Sequence, residues 1–191
     1  MAKLYFRYST MNAGKSIDLL RCNHNYIENG KKTICLTSSL DDRYGEGKIT
    51  SRIGISINAM SIDDRIDIYE LVKKEKKVSC VFFDEVQFIT KKQVFQLSDI
   101  VDKLNIPVIT YGLRSDFKLE VFEGSKYLMA IADVIEEIKT ICSVCKDKKA
   151  IVNVRVDEDG KVLLEGKQIK IGGNQDYKPM CRKCYKEFKS K

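Results

Sequence analysis

The chain has 191 residues, of which 43% are hydrophobic and 32% charged, and its formal net charge is +7. This length suits one domain of ordinary size with a smaller appendage. No apolar run approaches the roughly 18–20 residues of a membrane span, and the N-terminal segment lacks the apolar stretch of a signal peptide. We therefore expect a cytoplasmic protein without a membrane partner.

The positive charge is concentrated at the C-terminal end. Residues 139–191 hold 14 basic and 7 acidic side chains, and this part accounts for the whole excess of +7. The sequence predicts a boundary here, with an α/β nucleotide-binding domain over residues 1–138 and a second domain over residues 139–191. A solvated face explains this charge better than a nucleic-acid partner, because four zinc-bound thiolates would offset about two of the positive charges.

The first third of the chain alternates predicted strands and a helix. Residues 3–8 form a predicted strand, residues 8–16 a loop, and the next segment a helix that ends near Gly30. A second strand covers residues 32–37. The polar, glycine-containing stretch 38–56 shows no periodicity, which indicates a mobile loop.

The middle of the chain continues the alternation. Thr90 and Gln93 form a capping box at the start of one of its helices. The predicted elements are a helix from Ser61 to about Lys74, a strand over 78–85, a helix from Thr90, a strand over 106–112, a helix over 125–132 and a strand over 134–141. This order predicts an α/β fold of the P-loop NTPase type, with a parallel sheet and helices on both faces.

The stretch "YSTMNAGKS" at residues 8–16 matches a phosphate-binding loop except at its first position. The usual pattern is G-x-x-x-x-G-K-[ST], and Ser9 replaces the first glycine. Gly14 permits close approach of the backbone, Lys15 supplies charge, and Ser16 offers a hydroxyl to Mg²⁺. The strand before the loop and the helix after it favour this interpretation over a chance match.

Two acids end the apolar strand "VFFDE". At the tip of a strand that we place beside the loop strand, Asp84 could hold the hydration shell of Mg²⁺. Glu85 could accept the proton of an attacking hydroxyl or water. The simpler alternative is a pair of solvated carboxylates.

The C-terminal part combines a cysteine quartet with predicted β-structure. Cys142, Cys145, Cys181 and Cys184 form two C-x-x-C pairs. Such a set suits a closed tetrahedral structural Zn²⁺ site, with redox chemistry as the alternative. Between the pairs, residues 150–166 predict a hairpin that turns at Asp159 and Gly160, so this part predicts a small β-rich zinc-ribbon domain.

The segment "QIKIGGNQDY", residues 168–177, is a flexible loop next to the second cysteine pair. It could fold over a small substrate and offer backbone groups to it. Composition alone favours an ordinary surface turn.

Several of these motifs together resemble the zinc-containing (type II) thymidine kinase family, and most closely its bacterial branch. The motifs are "STMNAGKS", "VFFDEVQF", "YGLRSDF", the first cysteine pair and the ending "IGG…DY…C-x-x-C", and the similarity runs from residue 3 to about 188. The resemblance implies transfer of the γ-phosphate of ATP to the 5′-hydroxyl of thymidine or deoxyuridine. It also implies a Mg²⁺ requirement and a salvage role in supplying DNA precursors.

The resemblance assigns roles to individual residues. Glu85 is implied as the general base. The implied ATP and Mg²⁺ site comprises Ser9, Thr10, Met11, Asn12, Ala13, Gly14, Lys15, Ser16, Asp84, Glu85, Val86 and Gln87. The implied nucleoside site comprises Met11, Phe117, Gln168, Ile169, Lys170, Ile171, Gly172 and Tyr177, with residues 168–172 as a lasso-like loop. The four cysteines are implied as ligands of structural Zn²⁺.

Further properties follow only from the same resemblance. It implies a homotetramer and feedback inhibition by dTTP at the nucleoside site. Asp41 and Arg43 are candidates for positions near the phosphates, whereas Arg114 and Asp116 receive no role. Two other functions remain open from the residues alone: a P-loop ATPase with a zinc ribbon that acts on nucleic acid, and a zinc-stapled binder without catalysis. About 190 residues supply only one of the two lobes of a helicase motor, which disfavours the first.

Overall fold

The chain folds around a six-stranded parallel sheet in a computed structural model that describes residues 1–41, 45–173 and 175–189. The strands are β1 (Leu4–Ser9), β2 (Lys32–Ser38), β3 (Lys48–Thr50), β4 (Ser56–Asn58), β5 (Met60–Ile62), β6 (Val78–Asp84), β7 (Val108–Leu113), β8 (Val134–Glu137), β9 (Val152–Arg155) and β10 (Tyr177–Met180). The main sheet has the order β5-β2-β6-β7-β1-β8, and all its neighbouring strands are parallel. The predicted α/β class is confirmed.

Over the described residues, five α-helices accompany these strands. They are α1 (Lys15–Glu28), α2 (Ile68–Lys73), α3 (Lys91–Leu104), α4 (Glu123–Ile131) and α5 (Arg182–Lys189), and a short 3₁₀ turn covers Val86–Phe88. The predicted capping box of α3 is present, with the Thr90 hydroxyl accepting from the Gln93 backbone N–H and the Gln93 side chain accepting from the Thr90 backbone N–H. In the part of the chain that the structure describes, we find no helix with the length and apolar character needed to cross a bilayer.

Both faces of the main sheet are covered by helices. Val81 and Phe83 of β6 lie in one buried cluster with Leu97 of α3, whereas Phe82 lies in a second cluster with Leu19 of α1. Successive side chains of a strand point to opposite faces. A continuous apolar strand is therefore the pattern that a sheet buried on both faces requires.

One expected neighbour relationship is wrong. We placed the strand that ends at Asp84 beside the loop strand, but β7 lies between β6 and β1. Because all three strands are parallel, their carboxyl ends still meet at one edge of the sheet. The acids after β6 and the loop after β1 therefore lie across the end of β7.

The predicted helix start at Ser61 is also wrong. Ser61 lies in β5, an edge strand that pairs with β2, and Ile62 is buried in the core. The α2 helix starts later because Asp67 caps it, accepting a hydrogen bond from the Glu70 backbone N–H at 3.0 Å. Pairing along the sheet edge outweighs the weak capping signal at Ser61.

The stretch 38–56 is not wholly irregular. Its second half begins an antiparallel hairpin of β3 and β4, with Ile49 buried against the α1 face of the sheet. The turn of this hairpin is closed where the Ser51 backbone N–H donates to the Ile55 carbonyl at 2.8 Å. Short strands that alternate only over three residues escape a periodicity search.

The C-terminal part forms a small unit with its own buried cluster. The predicted turn at Gly160 is present, but the predicted hairpin is reduced to a single bridge between Val156 and Val162. The main partner of β9 is β10, which pairs with it antiparallel. The α5 helix, which the sequence analysis did not predict, packs Tyr185 into the same cluster as Cys142, Cys181 and Cys184.

Candidate active site

The loop between β1 and α1 has the shape of a phosphate cradle. Asn12 and Gly14 have φ angles of 64° and 82°. A Cβ on Gly14 would meet no atom within 4 Å, so the left-handed conformation and not space favours glycine there. The Nζ of Lys15 donates to the Thr10 carbonyl across the loop at 2.9 Å. The loop leads into the N-terminus of a 14-residue helix, whose dipole and backbone N–H groups attract anions.

Ser9, the unusual residue of this loop, belongs structurally to β1. It is the last residue of that strand, and it is not one of the residues with positive φ. Its hydroxyl donates to the Ile138 carbonyl at 2.5 Å, just beyond the end of β8. The side chain therefore links β1 to the next segment of the sheet and leaves the cradle to the residues that follow.

The hydroxyl and carboxylate proposed for Mg²⁺ lie together. Ser16 Oγ donates to Asp84 Oδ2 at 2.8 Å, and the Glu85 backbone N–H donates to Asp84 Oδ1 at 3.0 Å. Burial and, second, the charge of Glu85 raise the pKa of Asp84 from 3.8 to about 7, against the lowering effects of Ser16 and Lys15. A hydroxyl and a carboxylate are oxygen ligands of the type that Mg²⁺ prefers.

The raised pKa of Asp84 predicts a stability cost. Between about pH 4 and 7 the folded protein keeps a proton that the unfolded chain releases, so stability falls as pH rises through this window. Asparagine cannot ionise, so Asp84→Asn removes this pH-dependent loss of stability. Without nucleotide or Mg²⁺, we expect the variant to melt at least about 3 °C above wild type at pH 8, with a smaller difference at pH 5.

Thermal melts at the two pH values measure this effect. Asp102→Asn, on the exposed side of α3, is the matched control and should show the same difference from wild type at both. A melting difference for Asp84→Asn that does not grow with pH would contradict the assignment.

Glu85 is held by a buried glutamine. Gln87 Nε2 donates to Glu85 Oε2 at 2.6 Å, and Gln87 Oε1 accepts from the Leu113 backbone N–H at 3.0 Å. Since that backbone group can only donate, it fixes which end of the amide faces the carboxylate. Glu85 itself has a left-handed φ of 55°, a conformation that is costly outside glycine. Leu113, at the end of β7, thus orients the Glu85 carboxylate through the Gln87 amide.

An open cavity of about 260 Å³ joins the loop to the C-terminal unit. Residues of both proposed sites line it. From the sequence-based set these are Met11, Asn12, Ala13, Gly14, Lys15, Ser16, Asp84, Glu85, Gln87, Phe117, Gln168, Ile169, Lys170, Ile171, Gly172 and Tyr177. The lining therefore brings together a phosphate cradle, a carboxylate and an aromatic ring in one space, which suits a nucleoside beside a triphosphate.

Three residues of that set lie elsewhere. Ser9 binds Ile138 as described, and Thr10 contributes its carbonyl to Lys15 while its side chain is buried. Val86 packs in the main core with its side chain fully buried. Of the two phosphate candidates, Asp41 lines the cavity, whereas Arg43 lies outside the described residues.

The structure gives Arg114 and Asp116 local roles. Asp116 Oδ1 accepts from the backbone N–H groups of Lys118 and Glu120, at 2.8 and 2.9 Å. These bonds shape the tight loop that carries Phe117 into the cavity wall. The Arg114 guanidinium lies over the Tyr8 ring at 5.5 Å and lines a separate small cavity.

Two residues that the sequence analysis missed connect the C-terminal unit to the site. Asn153 Oδ1 accepts from the Met11 backbone N–H at 2.7 Å, and Arg155 packs against Phe117. Both lie on β9, where all four residues are buried. The signal in the sequence was the alternation of Asn153 and Arg155 with valines, which puts two polar side chains on one face of a buried strand.

The four cysteines meet in the C-terminal unit. Their Sγ atoms all lie within 4.8 Å of one another, and the Cys145–Cys181 pair is separated by 3.9 Å. Tetrahedral zinc with Zn–S bonds of about 2.3 Å needs S···S distances of about 3.8 Å, so this arrangement fits the ion. Burial opposes ionisation of Cys142, but backbone N–H groups outweigh it and lower its pKa to about 6. The cluster is consistent with a zinc ribbon.

The parallel sheet and the loop at the carboxyl end of β1 define an α/β protein of the P-loop type, whose Cys₄ cluster is consistent with a zinc ribbon. Comparison with known sequences identifies its family. The family model described as "Thymidine kinase" matches residues 2–185. The chain belongs to the thymidine kinase family, which confirms the resemblance stated above.

Bacterial relatives match over nearly the whole chain. A thymidine kinase of Haemophilus influenzae strain Rd is 54% identical over 190 residues, covering 98% of this chain and 97% of the relative. One from Shewanella oneidensis is 52% identical, covering 98% of each chain. One from Lactococcus lactis subsp. lactis is 51% identical, covering 97% of each. The match therefore spans both the sheet and the cysteine unit.

Proposed function

We propose that this protein transfers the γ-phosphoryl group of ATP to the 5′-hydroxyl of thymidine or deoxyuridine, with the monophosphate and ADP as products. The observation that carries the proposal is the shared cavity, in which the cradle of Gly14 and Lys15 and the carboxylate of Glu85 face the segment 168–172. Family membership narrows the acceptor to a nucleoside.

The cradle is proposed to hold the donor. Backbone N–H groups of residues 12–16 and the N-terminus of α1 would bind the phosphates, and Lys15 would add charge there. Ser16 and Asp84 would hold Mg²⁺, which when bound neutralises charge on the phosphate oxygens. Asp41, at the cavity wall, remains a candidate for this region, and Arg43 remains one from the sequence alone.

Glu85 is proposed as the general base. Its carboxylate would take the proton of the 5′-hydroxyl while the oxygen forms a bond to the γ-phosphorus and the bond to the departing ADP oxygen breaks. Positioning of the nucleophile is the main catalytic task in phosphoryl transfer. The hydrogen bond from Gln87 to Oε2 supports the proposal because it orients the carboxylate before substrate arrives.

The nucleoside is proposed to bind at the other end of the cavity. Met11 would approach the thymine methyl and Phe117 would stack against the base, while backbone groups of segment 168–172 read its edge. Tyr177 supports this segment, since its hydroxyl donates to the Lys170 carbonyl at 2.8 Å. A nucleoside buried in this way would be shielded from competing water.

The remaining properties are proposed from the family resemblance. They are structural Zn²⁺ at the four cysteines, a homotetramer, feedback inhibition by dTTP at the nucleoside site, a cytoplasmic location and a role in salvage supply of DNA precursors. The division of the chain between residues 138 and 139 is proposed from the charge distribution along the sequence, and the separate buried cluster of the cysteine unit supports it.

Release of ADP from Mg-ATP tests the proposed function against its rivals. We expect release only when thymidine or deoxyuridine is present, and no stimulation by single-stranded or duplex DNA. DNA-dependent release without nucleoside would instead support the nucleic-acid ATPase. Binding of ATP with no release under any condition would indicate a non-catalytic binder.

Ser9→Gly tests whether the unusual residue matters for the donor. We expect the KM for ATP to stay within about twofold of wild type, because Ser9 lies at the end of β1 and bonds to Ile138. The free energy of unfolding should fall by about 1–2 kcal/mol through the lost hydrogen bond and the flexibility of glycine. Steady-state kinetics and urea unfolding measure both, and a KM for ATP raised tenfold or more would show that Ser9 acts in the cradle.

A further inference from the structure

Arg155 is a buried cation whose hydrogen-bond partners in the described chain are neutral, although the Asp176 carboxylate lies near enough to interact with its charge. Arg155 is the last residue of β9, stands opposite Tyr177 of β10 and is only 4% exposed. Its hydrogen bonds run from Nε and Nη2 to the Tyr177 hydroxyl, at 3.1 and 2.7 Å, and from Nη1 and Nη2 to the carbonyls of Lys167 and Gln168, at 2.9 and 3.4 Å. Burying a charge is unfavourable unless its partners are well placed, so this arrangement calls for an explanation.

The same guanidinium also packs on aromatic rings. Its central carbon lies 4.0 Å from the centroid of the Phe117 ring and 5.3 Å from that of Tyr177. Phe117 is carried by the loop after β7, whereas Tyr177 and the two carbonyls belong to the C-terminal unit. One side chain therefore touches three separate segments that line the cavity.

The backbone at the start of the loop is shaped around this side chain. Gly166 has a φ of 131°, and a Cβ there would lie 3.2 Å from Arg155 Nη1. A larger residue would be strained in this conformation and would crowd the guanidinium. This close approach is independent of the hydrogen bonds and shows the same thing, that segment 166–168 is packed on Arg155.

We propose that Arg155 is a positioning residue that holds the nucleoside loop, defined as residues 167–172, against Phe117 and Tyr177. The planar fork of arginine suits this task, because it donates to several acceptors in one plane while its face stacks on a ring. Lysine has neither property. Arg155 thus determines nucleoside affinity without touching the reacting atoms, an inference that rests on the proposed function of the cavity.

Hydrogen–deuterium exchange without any substrate tests the positioning directly. We expect Arg155→Met to speed exchange of the amides of Gly173, Asp176 and Tyr177, which donate hydrogen bonds within this segment, by about tenfold or more, while those of β6 and β7 exchange as in wild type. Arg155→Lys should speed exchange of the same amides to nearly the same extent. Arg182→Met, on the exposed surface of α5, is the matched control and should leave exchange unchanged.

Kinetics then separates positioning from a general structural effect. For Arg155→Met we expect the KM for thymidine to rise about tenfold, with the KM for ATP and kcat within about twofold to threefold of wild type. Zinc content should remain that of wild type. Should Arg155→Met fail to fold, Tyr177→Phe, which removes the shared hydroxyl, should still speed exchange of the loop amides.

Four outcomes decide between the positioning role, the role of the planar fork and the proposed function. Unchanged loop exchange in the Arg155 variants, or equal rises in both KM values, would overturn it. A lysine variant that behaves as wild type would overturn the role of the planar fork. If the wild-type protein fails to phosphorylate thymidine but the loop still loosens, the proposed function fails while the positioning role stands.

Discussion

We expect Glu85→Gln to lower kcat by about 10² or more while ATP binding stays within about twofold of wild type. Glutamine keeps the shape of the side chain but cannot take the proton of the 5′-hydroxyl at neutral pH. The loss should fall on kcat and not on the KM for ATP, because Glu85 lies across the end of β7 from the cradle. The measurements are steady-state kinetics and equilibrium binding of ATP.

The matched control is Glu28→Gln at the exposed end of α1, which should leave kcat unchanged. Glu28 lacks both the left-handed backbone and the hydrogen bond from Gln87 that fix the Glu85 carboxylate, so this control measures only the general effect of losing an acidic charge. Turnover near the wild-type value in Glu85→Gln would refute the assignment of Glu85 as general base.

Loss of a zinc ligand should also lower activity strongly. We expect Cys181→Ser to remove bound zinc and to lower kcat/KM for thymidine by about 10² or more, since metal binding supplies the folding energy of small zinc units. The buried cluster of this unit is small. Without the metal, β9 and β10 should no longer hold Asn153 against Met11 or Tyr177 against the nucleoside loop.

Three measurements check this expectation. Elemental analysis gives the zinc content, kinetics gives kcat/KM, and far-UV circular dichroism reports whether the main sheet survives. Cys22→Ser is the control, because Cys22 lies on α1 outside the cluster and should leave all three unchanged. A variant that loses zinc but keeps wild-type kcat/KM would show that the metal does not support the site.

The features that the sequence predicted correctly are local in the chain. The capping box at Thr90 and Gln93, the apolar strand before Asp84 and the loop between β1 and α1 each depend on residues a few positions apart. The interactions that form these features involve residues close together in the sequence, so the sequence pattern predicts them without a structure. The two C-x-x-C motifs lie far apart in the chain. They could still be assigned to one site, because four cysteines in two such pairs are a specific signature of a zinc site.

The features that the sequence did not predict depend on distant contacts. The position of β7 between β6 and β1 is set by packing of whole strands, and Ser61 joins a strand because β2 offers it an edge. Asn153 reaches Met11 across 142 residues of chain. Arg155 likewise gains its partners only when β9 is laid beside β10 and the loop after β7. Local propensity carries no information on such pairings.

Identification of the phosphorylated product tests the central claim most directly. The protein is incubated with thymidine and Mg-ATP labelled with ¹⁸O in the three non-bridging γ-oxygens, and the nucleotide product is analysed by mass spectrometry and ³¹P NMR. We expect thymidine 5′-monophosphate that carries all three labelled oxygens, formed in equal amount with ADP. Labelled inorganic phosphate with unchanged thymidine would contradict it, because the γ-phosphoryl group would then have passed to water.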